Sequence, residues 1–294
     1  MYKSSRWRRV RCLFETPILD ERKWAKIPSI PADAFIIDLE DSVPEAGKVQ
    51  ARQKALDQIS HPEYFDGRLP VPRANHLDTP WGREDIVAFA EAGVDLIMYP
   101  KVGSVRDVQE VLGLARAHGS DPKILASIES SQGVMEVESI FQMDEVIAAT
   151  FGSGDLHVDA GIPLHMPDHT LNPALIYPKS KVAMAGVAYG VAVLSIAYQN
   201  DLKDLEEVHR TVLEEKAYGF TGLAAFYPPH VDIINAAFTA SDEEVAKARQ
   251  VIDTYERAVA EGNPAVKLAN GEVLLVHQYK EAQDVLALYG ARAS

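Results

Sequence analysis

The chain has 294 residues, 47% of them hydrophobic, with a formal net charge of −14 and a single cysteine, Cys12. That length and apolar content suit one large core, and α/β barrels run to this size as one domain. The acidity argues against nucleic acid or an anionic membrane as the main partner. The lone thiol excludes an intramolecular disulfide and a cysteine-built zinc site, and no apolar run is long enough to span a bilayer.

In chain order, residues 1–11 are basic (Lys3, Arg6, Arg8, Arg9, Arg11) with no apolar signal core behind them. They read as a frayed basic tail on a cytoplasmic enzyme, the stub of a transit peptide being the alternative. Arg11 stands apart, because it opens the first strand and is a candidate substrate-binding residue. Eight short apolar runs follow, at 11–16, 34–39, 69–73, 95–99, 124–128, 146–151, 191–197 and 222–227. Most are continuous rather than alternating, the pattern of strands buried on both faces. The segments 45–59, 81–92, 105–118, 133–142, 179–190 and 203–218 repeat apolar residues every three or four positions, as amphipathic helices do. Gly93, Gly119, Gly190 and Gly219 stand where such helices end. Eight alternating units predict an α/β fold, a (β/α)8 TIM barrel over residues 1–240. An open doubly wound sheet is the alternative, but no Gly-x-Gly-x-x-Gly follows the first strand. Residues 241–294 read as a C-terminal helical extension, a lid or a subunit contact. It holds a helix at 241–261 started by a Ser241–Glu244 capping box, an extended run at 273–276 and a last helix.

Barrel chemistry sits at the C-terminal ends of the strands. Those ends carry Asp38, Glu40 and Asp41, then Arg73 and Asn75, then Lys101, Glu129 and Asp155. Carboxylates crowded onto one face repel one another unless they share a cation. Glu129 and Asp155 each close an apolar run, in Ala126-Ser127-Ile128-Glu129 and Thr150-Phe151-Gly152-Ser153-Gly154-Asp155. They are the expected ligands of Mg2+, which takes one or two protein carboxylates and completes its octahedron with water and substrate oxygens. A 2-oxo acid suits the remaining positions. The backbone N–H groups of Gly154 and Asp155, at a helix start, suit its carboxylate, and Arg73 offers a planar fork to a carboxylate or enolate oxygen. Lys101 reads as an ion-pair partner of these acids, with Schiff-base formation as the alternative. His157, His165 and His169 read as loop residues rather than zinc ligands, and Ser130-Ser131 as a helix N-cap rather than a nucleophile.

Taken as an ordered set, several motifs resemble those of the citrate lyase beta-subunit-like family of CoA-ester lyases (malyl-CoA and citramalyl-CoA lyase-like), within the HpcH/HpaI aldolase group. They are Ile37-Asp38-Leu39-Glu40-Asp41-Ser42-Val43 with Lys48 and Ala51-Arg52, Pro72-Arg73-Ala74-Asn75, Asp78-Thr79-Pro80-Trp81-Gly82, Pro100-Lys101-Val102, Ser127-Ile128-Glu129, Phe151-Gly152-Ser153-Gly154-Asp155-Leu156 and Gly219-Phe220-Thr221-Gly222. The resemblance runs from about residue 11 to residue 249. It implies a Mg2+-dependent barrel lyase, a homotrimer or a multiple of one, that cleaves or forms a 3-hydroxyacyl-CoA from an acyl-CoA and a 2-oxo acid. It further implies that Glu129 and Asp155 bind the metal, that Arg73 binds substrate and stabilises the enolate, and that Asp38, Glu40 and Asp41 shape the metal and water shell. Two positions depart from the pattern. Leu275, in Asn270-Gly271-Glu272-Val273-Leu274-Leu275, stands where many members carry a tail aspartate, and Tyr227-Pro228 replaces a His-Pro. Two alternatives follow: a CoA-independent 2-oxo-acid aldolase, opposed by Glu40-Asp41 where that branch has Glu-His, and a barrel subunit without activity.

Overall fold

The computed structural model describes residues 2–196, 201–262, 266–267 and 273–290. The chain divides into two compact units, Met1–Asn235 and Ala236–Ser294. The first is built on eight parallel strands, β1 (Cys12–Pro17), β2 (Ala34–Asp38), β3 (Leu69–Arg73), β4 (Leu96–Tyr99), β5 (Lys123–Ile128), β6 (Val146–Phe151), β7 (Ala192–Ile196) and β8 (Gly222–Ala225). They close in sequence order, β8 pairing with β1 through Cys12↔Leu223 and Leu13↔Ala224. Closure settles the choice between the barrel and the open sheet in favour of the barrel.

Helices α1 (Glu21–Trp24), α2 (Lys48–Ile59), α3 (Gly82–Glu91), α4 (Val105–Ala117), α5 (Ser131–Gln142), α6 (Ser153–Asp159), α7 (Ile176–Tyr189), α8 (Leu205–Ala217) and α9 (Pro229–Ala237) come between and after the strands. The barrel interior is filled by Leu13, Ala34, Ile36, Val71, Met98, Leu125, Ala148, Ala192, Leu194 and Ala224. These residues face inward at two-residue spacing, the period of a strand. Alternation then sends Glu15, two beyond Leu13, toward the open end of the barrel.

Among the described residues the outer layer carries a buried ion pair between α7 and α8. Lys179 of α7 and Glu215 of α8, each about 2% exposed, are joined directly, and Ser195 Oγ of β7 donates to the second Glu215 oxygen at 2.7 Å. Charge and hydrogen bonds are matched there within protein.

The N-terminal segment is not frayed. Trp7 and Val10 belong to the barrel's core cluster, and Lys3 Nζ donates to the carbonyls of Phe141, Met143 and Val146 at 2.7, 2.6 and 3.2 Å. The first strand begins at Cys12; the Arg11 N–H before it donates to the Asp33 carboxylate at 2.8 Å, while the Arg11 carbonyl accepts from the Leu223 N–H at 2.8 Å. The eighth ends at Ala225, just ahead of Tyr227-Pro228, where proline has no N–H to extend it. Residue 197 of the seventh expected strand lies outside the described residues. Helix α7 starts three residues earlier than the apolar spacing suggests, continuing a Pro173–Leu175 turn capped by Asn172, and ends at Gly190 in the left-handed region (φ 70°).

The second unit packs α10 (Asp242–Ala260) against α11 (Val276–Tyr289), joined by the short antiparallel pair β9 (Val266–Lys267) and β10 (Val273–Leu274). Ser241 and Glu244 form the expected capping box of α10. The run expected at 273–276 is a two-residue strand followed by the start of α11. Residues 270–272 of the tail motif lie outside the described residues.

Candidate functional site

Five consecutive strands, β2 to β6, bring their last residues to one mouth. Asp38 ends β2 and Arg73 ends β3, and Lys101, Glu129 and Asp155 lie just beyond β4, β5 and β6. Glu40 and Asp41 follow Asp38 in the turn. This end holds all of the residues expected to carry chemistry except Arg11. That side chain precedes β1 and lies at the opposite end, where its Nε and Nη2 donate to Asp33 at 2.9 and 2.7 Å. In a parallel barrel, residues just before a strand and residues just after one sit at opposite ends. Arg11 is therefore corrected to a partner of Asp33, remote from the mouth.

Arg73 is the positive centre. Its side chain is 8% exposed; Nε donates to Asp38 Oδ1 at 2.6 Å and Nη2 to Glu15 Oε1 at 3.0 Å, while Nη1 lies 3.5 Å from Glu40 Oε2. Asp38 is fully buried, which disfavours its charge. The Arg73 charge and hydrogen bond, with donors from Ser42 and Glu40, outweigh burial and hold it at about 2. Asp38 is therefore a fixed anion that orients Arg73.

Glu129 is held differently. It is 7% exposed, and the backbone N–H of Lys101 donates to Oε1 at 2.8 Å. Lys101 adopts a left-handed backbone (φ 52°), uncommon for a side-chain-bearing residue and stabilised here by that bond. Burial, then the charges of Glu40 and Asp155, push Glu129 up to about 7. Gly152 lies directly beneath it: a Cβ there would stand 2.7 Å from Glu129 Oε2 and 2.8 Å from its Cβ, so glycine is required for the carboxylate to occupy this position.

The Lys101 ammonium donates to Glu40 Oε1 at 2.7 Å and lies 3.8 Å from Asp41. Partial burial works against its charge, but Glu40, Asp41 and Glu129 overcome that and raise its pKa. A firmly protonated amine is no nucleophile, which favours the ion-pair reading over the Schiff base. Burial raises Glu40 as well, and its Oε2 is enclosed without a hydrogen-bond partner. The turn bearing Glu40 is clamped by Lys48 Nζ, which donates to the Leu39 and Glu40 carbonyls and to Asn75 Oδ1 at 2.9, 2.7 and 2.7 Å. Asn75 in turn is held by Asp85, and Asp85 by Arg52, both at 2.6 Å.

Asp155 lies in the first turn of α6, whose initial N–H groups, at Ser153, Gly154 and Asp155, have no acceptor within the helix. Glu129 and Asp155 are the residues that could hold a divalent cation. Their mutual repulsion and the enclosed oxygen of Glu40, which lacks a hydrogen bond, are what a cation would relieve. Among the described residues no three His, Cys, Asp or Glu groups form a ready-made ligand cage. His157, expected in a loop, lies in α6, where the helix places its Nδ1 3.0 Å from the Ile162 carbonyl oxygen; His165 and His169 lie in the loop after α6, and Ser130 is the N-cap of α5, accepting from Gly133 N–H.

Two features of the mouth escape the sequence reading. Glu15, the one charged residue of β1, is visible there but carries no assignment. Beside it opens a cavity of about 520 Å3 lined by Phe14, Glu15, Ile30, Phe226 and Tyr227 and rimmed by Arg22, Lys23 and Lys26. The rim stands on or just after the four-residue helix α1, too short to show a period.

Residues 19–228 match the HpcH/HpaI aldolase/citrate lyase family. The chain belongs to that family. The lyase type of enzyme expected from the motifs is the type this family comprises. A (3S)-malyl-CoA thioesterase of Cereibacter sphaeroides is 30% identical over 264 residues, 90% of this chain and 89% of that protein. The citrate lyase subunit beta of Escherichia coli K12 is 30% identical over 255 residues, 83% of this chain and 81% of that protein. The CitE protein of Mycobacterium tuberculosis, solved in complex with magnesium, acetoacetate and coenzyme A, superimposes with a TM-score of 0.78 at 24% identity, covering 96% of this chain and 99% of that one. The last likeness concerns the fold. Among the described residues no helix is long and apolar enough to cross a membrane.

Proposed function

We propose that this family member is a Mg2+-dependent carbon–carbon lyase that cleaves or forms a 3-hydroxyacyl-CoA of the malyl-, citramalyl- or citryl-CoA type. Its main support is the juxtaposition at the mouth: a buried guanidinium, an adjacent acid pair in need of a cation, and a basic-rimmed cavity opening beside them. Relatives named for malyl-CoA and citrate lyase chemistry, and a neighbour holding magnesium and coenzyme A, point the same way.

In this reading Glu129 and Asp155 hold Mg2+, which when bound supplies Lewis-acid polarisation of a carbonyl. The 2-oxo acid's carboxylate meets the N–H groups of Gly154 and Asp155. Two of Arg73's five N–H donors are engaged by Asp38 and Glu15; Nη1, in ion-pair range of Glu40 Oε2 at 3.5 Å but not hydrogen-bonded to it, suits the thioester oxygen, where negative charge builds as the C–C bond breaks. Asp38 keeps that fork in plane. Lys101 and Lys48 hold the Glu40–Asp41 turn at the rim. Arg22, Lys23 and Lys26 suit the phosphates of CoA, and Phe14, Ile30 and Phe226 suit its apolar arm. The assembly proposed is a homotrimer, checked by light scattering in solution.

The test is turnover of malyl-, citramalyl- and citryl-CoA by the purified protein, following the oxo acid and the free thiol separately, with and without Mg2+. The reading expects oxo acid and intact acyl-CoA in equal amounts, dependent on Mg2+. Free CoA without oxo acid would mark a thioesterase, and no turnover of any of the three would reject the lyase.

A further inference from the structure

The lyase reading leaves one chemical requirement unassigned: a group that gives a proton to, or takes it from, the carbon next to the thioester. Asp38 is locked by three donors and held strongly ionised. Glu40 is engaged by Lys101, and Glu129 by the Lys101 N–H. Leu275 carries no titratable group. Glu15 is placed differently. It lies within β1, two residues before the strand's end, lines the basic-rimmed cavity and keeps 26% of its side chain exposed. One oxygen accepts from Arg73 Nη2 at 3.0 Å. The other has no hydrogen bond among the described residues, so it is available to a ligand in the cavity. Glu15 thus stands between the guanidinium assigned to the thioester oxygen and the cavity assigned to the CoA arm.

We propose that Glu15 is the catalytic acid and base that moves the C2 proton of the acyl-CoA, an inference that rests on the lyase reading above. In condensation its carboxylate takes a C2 proton. The C–H electron pair spreads onto the thioester oxygen beside Arg73, the enolate carbon bonds to the oxo-acid carbonyl carbon, and the resulting alkoxide takes a proton from water. In cleavage the hydroxyl proton leaves to water, the C–C pair becomes the enolate, and the protonated Glu15 delivers its proton to C2. Burial, reinforced by Asp38, Asp41 and Glu40 against the pull of Arg73, pushes Glu15 up to about 7, so both forms are populated near neutrality.

The experiment uses the full chain with Mg2+ and acetyl- or propionyl-CoA in D2O, oxalate standing in for the oxo acid, and reads deuterium in the acyl group by mass spectrometry. The intact protein is expected to exchange. Glu15→Gln, whose amide oxygen still accepts from Arg73, is expected to lose at least about 100-fold in both exchange and lyase turnover. Its calorimetric binding of Mg2+ with pyruvate is expected to be unchanged. A smaller loss makes Glu15 only a positioning partner of Arg73 and overturns the inference. Should Glu15→Gln not fold, Glu15→Ala with added formate decides: recovery of exchange supports the proton role, and no recovery overturns it. Failure of the intact protein to cleave any of the three CoA esters would sink the lyase reading itself, an outcome separable from one in which only the variants behave unexpectedly.

Discussion

Two buried charge clusters in the barrel unit use the same residue types to opposite ends. Around β7, Lys179, Glu215 and Ser195 satisfy one another, one cation to one anion. At the mouth, Asp38, Glu15, Glu40 and Glu129 face two cations, Arg73 and Lys101, and one enclosed carboxylate oxygen, Glu40 Oε2, has only a 3.5 Å ion-pair contact with Arg73 and no hydrogen bond. A matched pair needs nothing further and holds α7 and α8 to the sheet. An unmatched set stores electrostatic cost that a ligand can relieve, which is the usual signature of a site rather than of a strut.

The sharpest way to break that contrast is to cut the balanced pair. Lys179→Met leaves a buried, uncompensated carboxylate and is expected to cost about 3–5 kcal/mol of stability. The double change Lys179→Met with Glu215→Leu is expected to recover most of that loss, as measured by urea unfolding. Turnover per folded molecule is expected to hold in both. A large fall in turnover in the well-folded double variant would bring the outer cluster into the site after all. At the mouth the signs reverse. Glu129→Gln and Asp155→Asn are each expected to lower kcat/KM by about 10²–10³-fold, the scale of removing one electrostatic stabiliser of a transition state. Both should abolish the heat of Mg2+ binding, yet leave the metal-free protein at least as stable as the parent. Loss of stability in both variants, with Mg2+ binding intact, would make the pair a strut like the other.

Strand physics explains how much of this was legible in the sequence. Continuous apolar runs alternating with amphipathic segments specify a parallel α/β layout, and acids closing those runs had to gather at one end once the barrel closed. Arg11 was misassigned although it precedes its strand and parallel topology alone would have sent it to the far end. Glu15 was missed because a single charged residue inside a strand looks like a tolerated exception until inward alternation and the neighbouring cavity are known. The clamp from Arg52 through Asp85 and Asn75 to Lys48 joins residues up to 37 positions apart through side chains, so no local period reveals it.

The mildest effect, and the one that separates the clusters without mutation, is pH. Glu129 and Glu15 are both pushed up to about 7 in the folded chain from an ordinary value of 4.5. Between those values the folded form holds protons that the unfolded form releases, so their contribution to stability is largest below about 4.5 and falls as pH rises toward 7. Each group adds a slope of at most about 1.4 kcal/mol per pH unit. Asp38 acts in the opposite sense: its contribution is present above 3.8 and is lost as pH falls toward about 2, outside the range where the other two change. Urea unfolding in EDTA from pH 4.5 to 8 is therefore expected to show the mouth's contribution declining up to about 7 and then levelling. Mg2+ should flatten the decline, because a cation favours the ionised acids that burial disfavours. Glu129→Gln should reduce the slope and Glu15→Gln should reduce it independently, whereas the Lys179→Met, Glu215→Leu double variant should leave it as it is. If the double variant removed the slope and the two mouth variants did not, the electrostatic cost would lie in the outer cluster, and the mouth would lose its claim to be the place where a cation is needed.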